Sequence, residues 1–217
     1  MQHIEAILFD LDGTLLDTTD LIVASFQHVA RKYLGREVTL EELLPSFGKP
    51  LIEGLEELMP GKGQEMVLTY REFNLQHHDN MVKIFPGIKE MLQELKQRKI
   101  KLGIVTSKVK KTAIKGLELF KIEQLFDVII GLEDTTIHKP NPEPVLLALE
   151  LVQTAPGRCL MVGDSPHDIV SAQRAGVATA AVSWSNIPLQ SLLELKPTFV
   201  LNNASELVEI VDKLNSI

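Results

Sequence analysis

The stretch ILFDLDGTLLDTTD, Ile7–Asp20, runs from a short apolar segment straight into Asp10, Leu11 and Asp12, followed by Gly13 and Thr14. An apolar run suited to a protein core gains nothing from ending in two carboxylates. In extended backbone, residues i and i+2 point to the same side, so Asp10 and Asp12 look into one crevice while Leu11 looks away. By itself such a pair reads as an acidic turn. Its meaning depends on what the rest of the chain brings to the same place.

Working outward, short apolar runs that stop at turn or polar residues recur: KLGIV before Thr106, FDVII before Gly131, CLMV before Gly163, ATAAV before Ser183 and TFVL before Asn202. Runs of this kind suit strands buried on both faces. Helical patterns lie between them. In PGIKEMLQELKQR, Ile88, Met91, Leu92 and Leu95 recur at i, i+3, i+4 and i+7. In SPHDIVSAQRAG, Ile169, Val170, Ala172 and Ala175 form the inward stripe, and Gly176 stands where a helix-ending glycine belongs. Asn203, three residues before Glu206, forms an N-cap pattern ahead of the last helix. Strand–helix alternation from about Phe85 onward predicts an α/β fold, a Rossmann-like parallel sheet with helices on both faces.

Between residues 18 and 82 the alternation stops. LIVASFQHVARKYL, LEELL, LIEGLEELM and EMVLTYREFNL are helical patterns with no convincing strand among them. The expected organisation is an α/β core formed by 1–17 and 83–217 with a helical cap inserted at 18–82. Because the insertion follows the first strand, it should stand over that strand's C-terminal end, where open parallel sheets bind ligands.

With 217 residues, 45% hydrophobic and 24% charged, the chain has ordinary globular proportions. Twenty-two Lys+Arg against 29 Asp+Glu give a net charge of −7, and no basic stripe offers itself to a nucleic-acid backbone. A nucleic-acid partner is not expected. The single cysteine, Cys159, lies in an apolar run and reads as a buried side chain. No run approaches the roughly 20 apolar residues of a membrane span and the first residues form no leader, so a cytoplasmic protein with no membrane contact is the expectation.

Three later stretches change the reading of the acids. GIVTSK delivers Thr106 and then Ser107 at a strand end. HKPNPEP holds Lys139 in a turn stiffened by Pro140, Pro142 and Pro144. LMVGDSPHD ends another strand in Asp164, with Asp168 in the first turn of the following helix. Carboxylates gathered at one crevice repel unless a cation sits among them, and oxygen-only ligation suits Mg2+.

DLDGT, a hydrophobic run ending in Thr, Lys-Pro and GDSxxD, in that order, resemble the four motifs of the haloacid dehalogenase (HAD) superfamily of phosphohydrolases. The resemblance implies roles residue by residue. Asp10 would be the nucleophile that becomes an aspartyl-phosphate, and Asp12 the general acid and then base. Thr106, with Ser107 and the Gly13 backbone beside it, would hold the phosphate, and Lys139 would neutralise both Asp10 and the phosphoryl group. Mg2+ would be bound by Asp10, the Asp12 carbonyl and Asp164, with Asp168 orienting its waters or Lys139. Dehalogenases of the superfamily lack the acid at position 12, which favours phosphoryl chemistry, and a cap placed here accompanies small-molecule phosphate substrates.

For the substrate, SFGKP (Ser46–Pro50) resembles the specificity loop of phosphoglycolate phosphatase and β-phosphoglucomutase relatives, with Lys49 as a candidate cation for an anionic leaving group. YREFNLQHHDNM, with KLGIVTSK and GLEDTTIHKPNPEPVLLALE, is similar to the HAD-type inorganic pyrophosphatases of Gram-positive bacteria, and Arg71 is a second cap cation. Pyrophosphate is therefore the expected substrate, with phosphoglycolate or another small phosphate as the alternative. A receiver-like signalling module also clusters acids, Thr and Lys on a parallel sheet, but its phosphorylated Asp stands on a later strand than its acidic pair. Adjacent His77 and His78 cannot share a helix face and are not read as metal ligands. Asp17 is expected to cap the first cap helix and to take no part in the chemistry.

Overall fold

In a computed structural model, residues 3–216 are described. The chain begins with β1 (Ala6–Phe9) and β2 (Leu16–Asp17), continues through α1 (Thr19–Leu34), α2 (Leu40–Leu43), α3 (Leu51–Leu58) and α4 (Gly63–Met81), and returns through β3 (Lys83–Ile84). Then follow α5 (Ile88–Gln97), β4 (Lys101–Val105), α6 (Lys110–Leu119), β5 (Val128–Ile130), α7 (Glu143–Leu151), β6 (Cys159–Gly163), α8 (Pro166–Arg174), β7 (Ala178–Val182), α9 (Leu189–Leu193), β8 (Phe199–Leu201) and α10 (Ser205–Asn215). Every apolar run singled out in the sequence is a strand.

Six strands form one parallel sheet in the order β5-β4-β1-β6-β7-β8. β1 lies between β4 and β6, so the chain runs outward to one side of it and then crosses to the other. That reversal opens a crevice at the C-terminal tips of the three strands. The side chains of β1 show how it is held: Ile7 and Phe9 enter one core while Ala6 and Leu8 enter the other, all of them buried. A strand covered on both faces has no polar side to expose, which is why it reads as a continuous apolar run. On the first face, α5 supplies Ile88, Met91, Leu92 and Leu95 as its periodicity required. α8 buries Ile169 and Ala172 fully, Val170 stays half-buried, and Gly176 follows the helix with φ +74°.

Helices α1 to α4 make a separate apolar cluster around Phe26, Val29, Leu55, Met66 and Tyr70, with the rings of Phe26 and Tyr70 edge-on at 5.1 Å. α2 is entered through a reciprocal cap, Thr39 accepting from the Glu42 amide and Glu42 from the Thr39 amide. Asp17 accepts from the Thr19 amide at the start of α1, at 3.3 Å. Two elements escaped the sequence reading. β2 and β3, two residues each, pair antiparallel through Leu16–Ile84 and Asp17–Lys83 where the chain leaves and re-enters the sheet-bearing part. Segments so short carry no period to detect. Among the described residues, no helix is long and apolar enough to cross a membrane.

Candidate active site

Register alone brings the first residues of the site together. Phe9 pairs with Ile104 on β4 and with Val162 on β6, and the Asp10 amide continues the ladder to the Val162 carbonyl at 2.9 Å. Asp10 therefore emerges beside the tips of both neighbours, where Thr106 and Asp164 follow their own strands. Asp10, Thr106 and Asp164 are buried at 5–6% exposure, and with Asp12 they line one cavity of about 150 Å³. Its opposite wall comes from the helical part: Ile22 and Phe26 of α1, the loop Ser46–Pro50, and Tyr70, Arg71 and Asn74 of α4.

Lys139 reaches this point from the loop before α7 and is 4% exposed. Its ammonium donates to Asp10 Oδ1 at 2.7 Å, to Asp168 Oδ1 at 2.6 Å and to the Val105 carbonyl at 2.9 Å. Three donors and three acceptors leave it fixed. Burial works against its charge, but the two carboxylates outweigh burial and hold its pKa above that of an ordinary lysine. Asp168 in turn uses its other oxygen on the Ser165 amide and hydroxyl, at 3.0 and 2.6 Å, while the Ser165 oxygen caps α8. Cap and counter-charge are thus one structure. Both Asp168 oxygens are thereby engaged by protein donors, Oδ1 by Lys139 and Oδ2 by Ser165.

The remaining charge is out of balance. Asp10, Asp164 and Asp168 bring carboxylate oxygens within 4.8 Å of one another, against the single ammonium of Lys139. Burial first, then the neighbouring carboxylates, push Asp10 up to about 7, with Lys139 pulling the other way. Asp164 is likewise raised well above the ordinary range by burial and by Asp10 and Asp168. Thr14 Oγ1 donates to it at 3.4 Å, and the Ser185 hydroxyl works with Lys139 in the opposite direction. An oxygen-only cluster short of positive charge fits a hard divalent cation, with Asp10 and Asp164 as the available donors.

Several expectations change in detail. Gly13 has φ +83°, and what comes close to it is Asp164: a Cβ at this position would stand 2.1 Å from Asp164 Oδ2. The glycine makes room for the acid as well as supplying the turn. Ser107 lines the cavity but its hydroxyl donates to the Gly48 carbonyl at 2.8 Å, joining the β4 tip to the Ser46–Pro50 loop. Lys49 lines the cavity too, ion-paired with Glu57 of α3, whose other oxygen accepts from Ser46 at 2.8 Å. Arg71 is exposed at the cavity wall. His78 is buried and hydrogen-bonded to Asp79 at 2.8 Å, away from any acidic cluster. Cys159 is buried, and burial raises its thiol to about 12.

Lys108 escaped notice in the sequence, where it is one lysine among Lys101, Lys108, Lys110 and Lys111. It donates to Asp12 Oδ1 at 2.6 Å inside the cavity. Its position immediately after the Thr106–Ser107 strand end was the available signal.

A family model described as haloacid dehalogenase-like hydrolase matches residues 7–182. A protein of Caldanaerobacter subterraneus subsp. tengcongensis, provisionally named pyrophosphatase PpaX, is 46% identical over 208 residues, 96% of this chain and 94% of its own length. Pyrophosphatase PpaX of Bacillus mycoides is 42% identical over 212 residues, covering 98% and 99%. Among solved structures, a provisionally named phosphoglycolate phosphatase from Lactobacillus plantarum superposes with a TM-score of 0.87 at 26% identity, over 95% of this chain and 99% of that one.

Proposed function

This chain belongs to the haloacid dehalogenase-like hydrolase family, and from that premise we propose that it hydrolyses inorganic pyrophosphate through an aspartyl-phosphate, with Mg2+ as cofactor. The observation that carries the chemistry is the buried Lys139–Asp10 contact of 2.7 Å, at a cavity whose opposite wall is helical. The likeness to PpaX relatives over nearly the whole chain supports the substrate.

In this reading residues 18–82 form a cap that encloses the substrate beside Asp10. An Asp10 oxygen attacks the near phosphorus. As that bond forms, the bond to the bridging oxygen breaks, its electron pair leaves with the departing phosphate, and a proton held by Asp12 passes to the same oxygen. Water then attacks the aspartyl-phosphate, giving its proton to Asp12. The pair in the Asp10–phosphorus bond returns to Asp10, and both carboxylic groups are restored. Thr106 and the amides around it hold the non-transferred oxygens. Lys139, oriented by Asp168, keeps the nucleophile's charge compensated while a polyanion approaches. Asp10, the Asp12 carbonyl and Asp164 would hold Mg2+, which supplies charge neutralisation at the transferring phosphoryl group.

Phosphoglycolate is the second reading, favoured by the apolar side chains of Ile22, Phe26 and Leu51 in the cavity wall, which suit a carbon-bearing leaving group. Comparing kcat/KM for pyrophosphate, phosphoglycolate, acetyl phosphate and sugar phosphates decides between them. Pyrophosphate is expected to lead; a sugar phosphate in first place would overturn both.

A further inference from the structure

We propose that Lys108 is the specificity residue for the leaving group, exchanged during each turnover between Asp12 and a negative charge on the departing half of the substrate. The inference rests on the phosphohydrolase reading above and adds to it the reason an anionic leaving group is selected.

Lys49, Arg71 and Lys108 line the cavity and Lys139 lies beside Asp10; of these Arg71 is exposed, so solvent already screens its charge. Lys49 is compensated by Glu57, a carboxylate outside the reacting groups, and that pair has no cause to part during chemistry. Lys139 has all three donors committed beneath Asp10. Lys108 differs from both, because its partner is the carboxylate proposed to serve the leaving oxygen. Nζ lies 2.6 Å from Asp12 Oδ1, with the two side chains 15% and 23% exposed. The rest of Lys108 is anchored: its amide donates to Thr106 Oγ1 at 3.2 Å and its carbonyl accepts from the Leu132 amide at 2.9 Å. A fixed backbone beside the phosphate-holding Thr106 and a flexible stem leave the ammonium free to move only within the cavity.

Once Asp12 holds the proton it delivers and turns to the leaving oxygen, it no longer offers Lys108 a negative charge. A partly buried ammonium stripped of its partner is costly. A substrate whose departing portion carries its own anion, a second phosphate or a carboxylate, replaces the lost partner with a charge-assisted hydrogen bond. A substrate whose departing portion carries no further anion offers Lys108 no such partner and gains nothing from it. After the leaving group goes, Lys108 returns to Asp12, which is then a carboxylate fit to accept a proton from water. Selection and cycling come from one side chain.

The test compares Lys108→Met, Lys108→Gln and Lys108→Arg with the wild-type protein in saturating Mg2+, using pyrophosphate and p-nitrophenyl phosphate, whose departing portion carries no further anion. The neutral variants should lose about 10- to 100-fold in kcat/KM for pyrophosphate, the value of one charge-assisted hydrogen bond. They should lose less than about threefold for p-nitrophenyl phosphate, and Lys108→Arg should recover most of the pyrophosphate activity. Calorimetric binding of methylenediphosphonate against methylphosphonate gives the same comparison without turnover, and thermal melts show which variants fold. Equal losses on both substrates, or an undiminished pyrophosphate rate, would overturn the assignment. Wild-type protein that releases phosphate from neither compound sinks the hydrolase reading itself, and wild-type protein that prefers phosphoglycolate moves the same comparison to that anion.

Discussion

At Asp10 two demands meet. A nucleophile must be ionised, yet burial first, and then the charges of Asp168 and Asp12, resist its ionisation, and Lys139 offsets only part of that. Asp10→Asn should abolish turnover, lowering kcat by about 1,000-fold or more while the protein still folds, as melts and phosphate release will show. The same burial sets a pH dependence. A carboxyl raised from 3.8 to about 7 on folding binds its proton more tightly in the native state, so its ionisation costs stability as pH rises through that window. His78 and His167, both lowered mainly by burial, act in the opposite direction below about 6.5, so whole-protein melts mix the two. The difference in unfolding free energy between wild type and Asp10→Asn removes the histidine contribution and reports Asp10 together with the part of the Asp164 shift that Asp10 causes. In EDTA that difference should fall as pH rises from about 4 to about 7, and Mg2+ should reverse the fall. Asp168→Ala should destabilise the fold by about 3–5 kcal/mol in urea titrations, because it strands part of the Lys139 charge and removes half of the α8 cap.

Among the elements, the legible ones are those in which one pattern had one cause. β1, β4 and β6 read as strands because burial on both faces leaves only apolar residues, and α5 because a single face is buried. Asp10, Thr106 and Asp164 are found at one crevice because strand tips in a parallel sheet share an edge, and Lys139 joins them from the loop before α7. Lys108 beside Asp12 and Glu57 beside Lys49 were not legible, since a partner reached across the chain leaves no spacing to read. The Ser46–Pro50 loop carries a further test. Gly48 has φ +79°, and a Cβ there would stand 2.7 Å from Ser165 Oγ. Gly48→Ala combines left-handed strain with a collision at the α8 cap, so it should reduce kcat/KM by about tenfold, mostly through KM, and lower the melting temperature by a few degrees.

Across the whole molecule, the helical part and the sheet-bearing part each bury their own apolar cluster, and the cavity lies where polar loops face each other. Damage to either core should therefore separate from damage to chemistry. Leu92→Ala, in the fully buried face of α5, should cost about 2–5 kcal/mol of stability while kcat of the folded fraction stays near wild type, measured by urea unfolding beside steady-state assays. The two crossings between these parts, at Leu16–Asp17 and Lys83–Ile84, are bonded side by side. A pair of strands bends readily out of its own plane and resists sliding within it. The chain's exit from the sheet-bearing part and its return to it are therefore held at one ribbon, and the two parts share a single paired joint there.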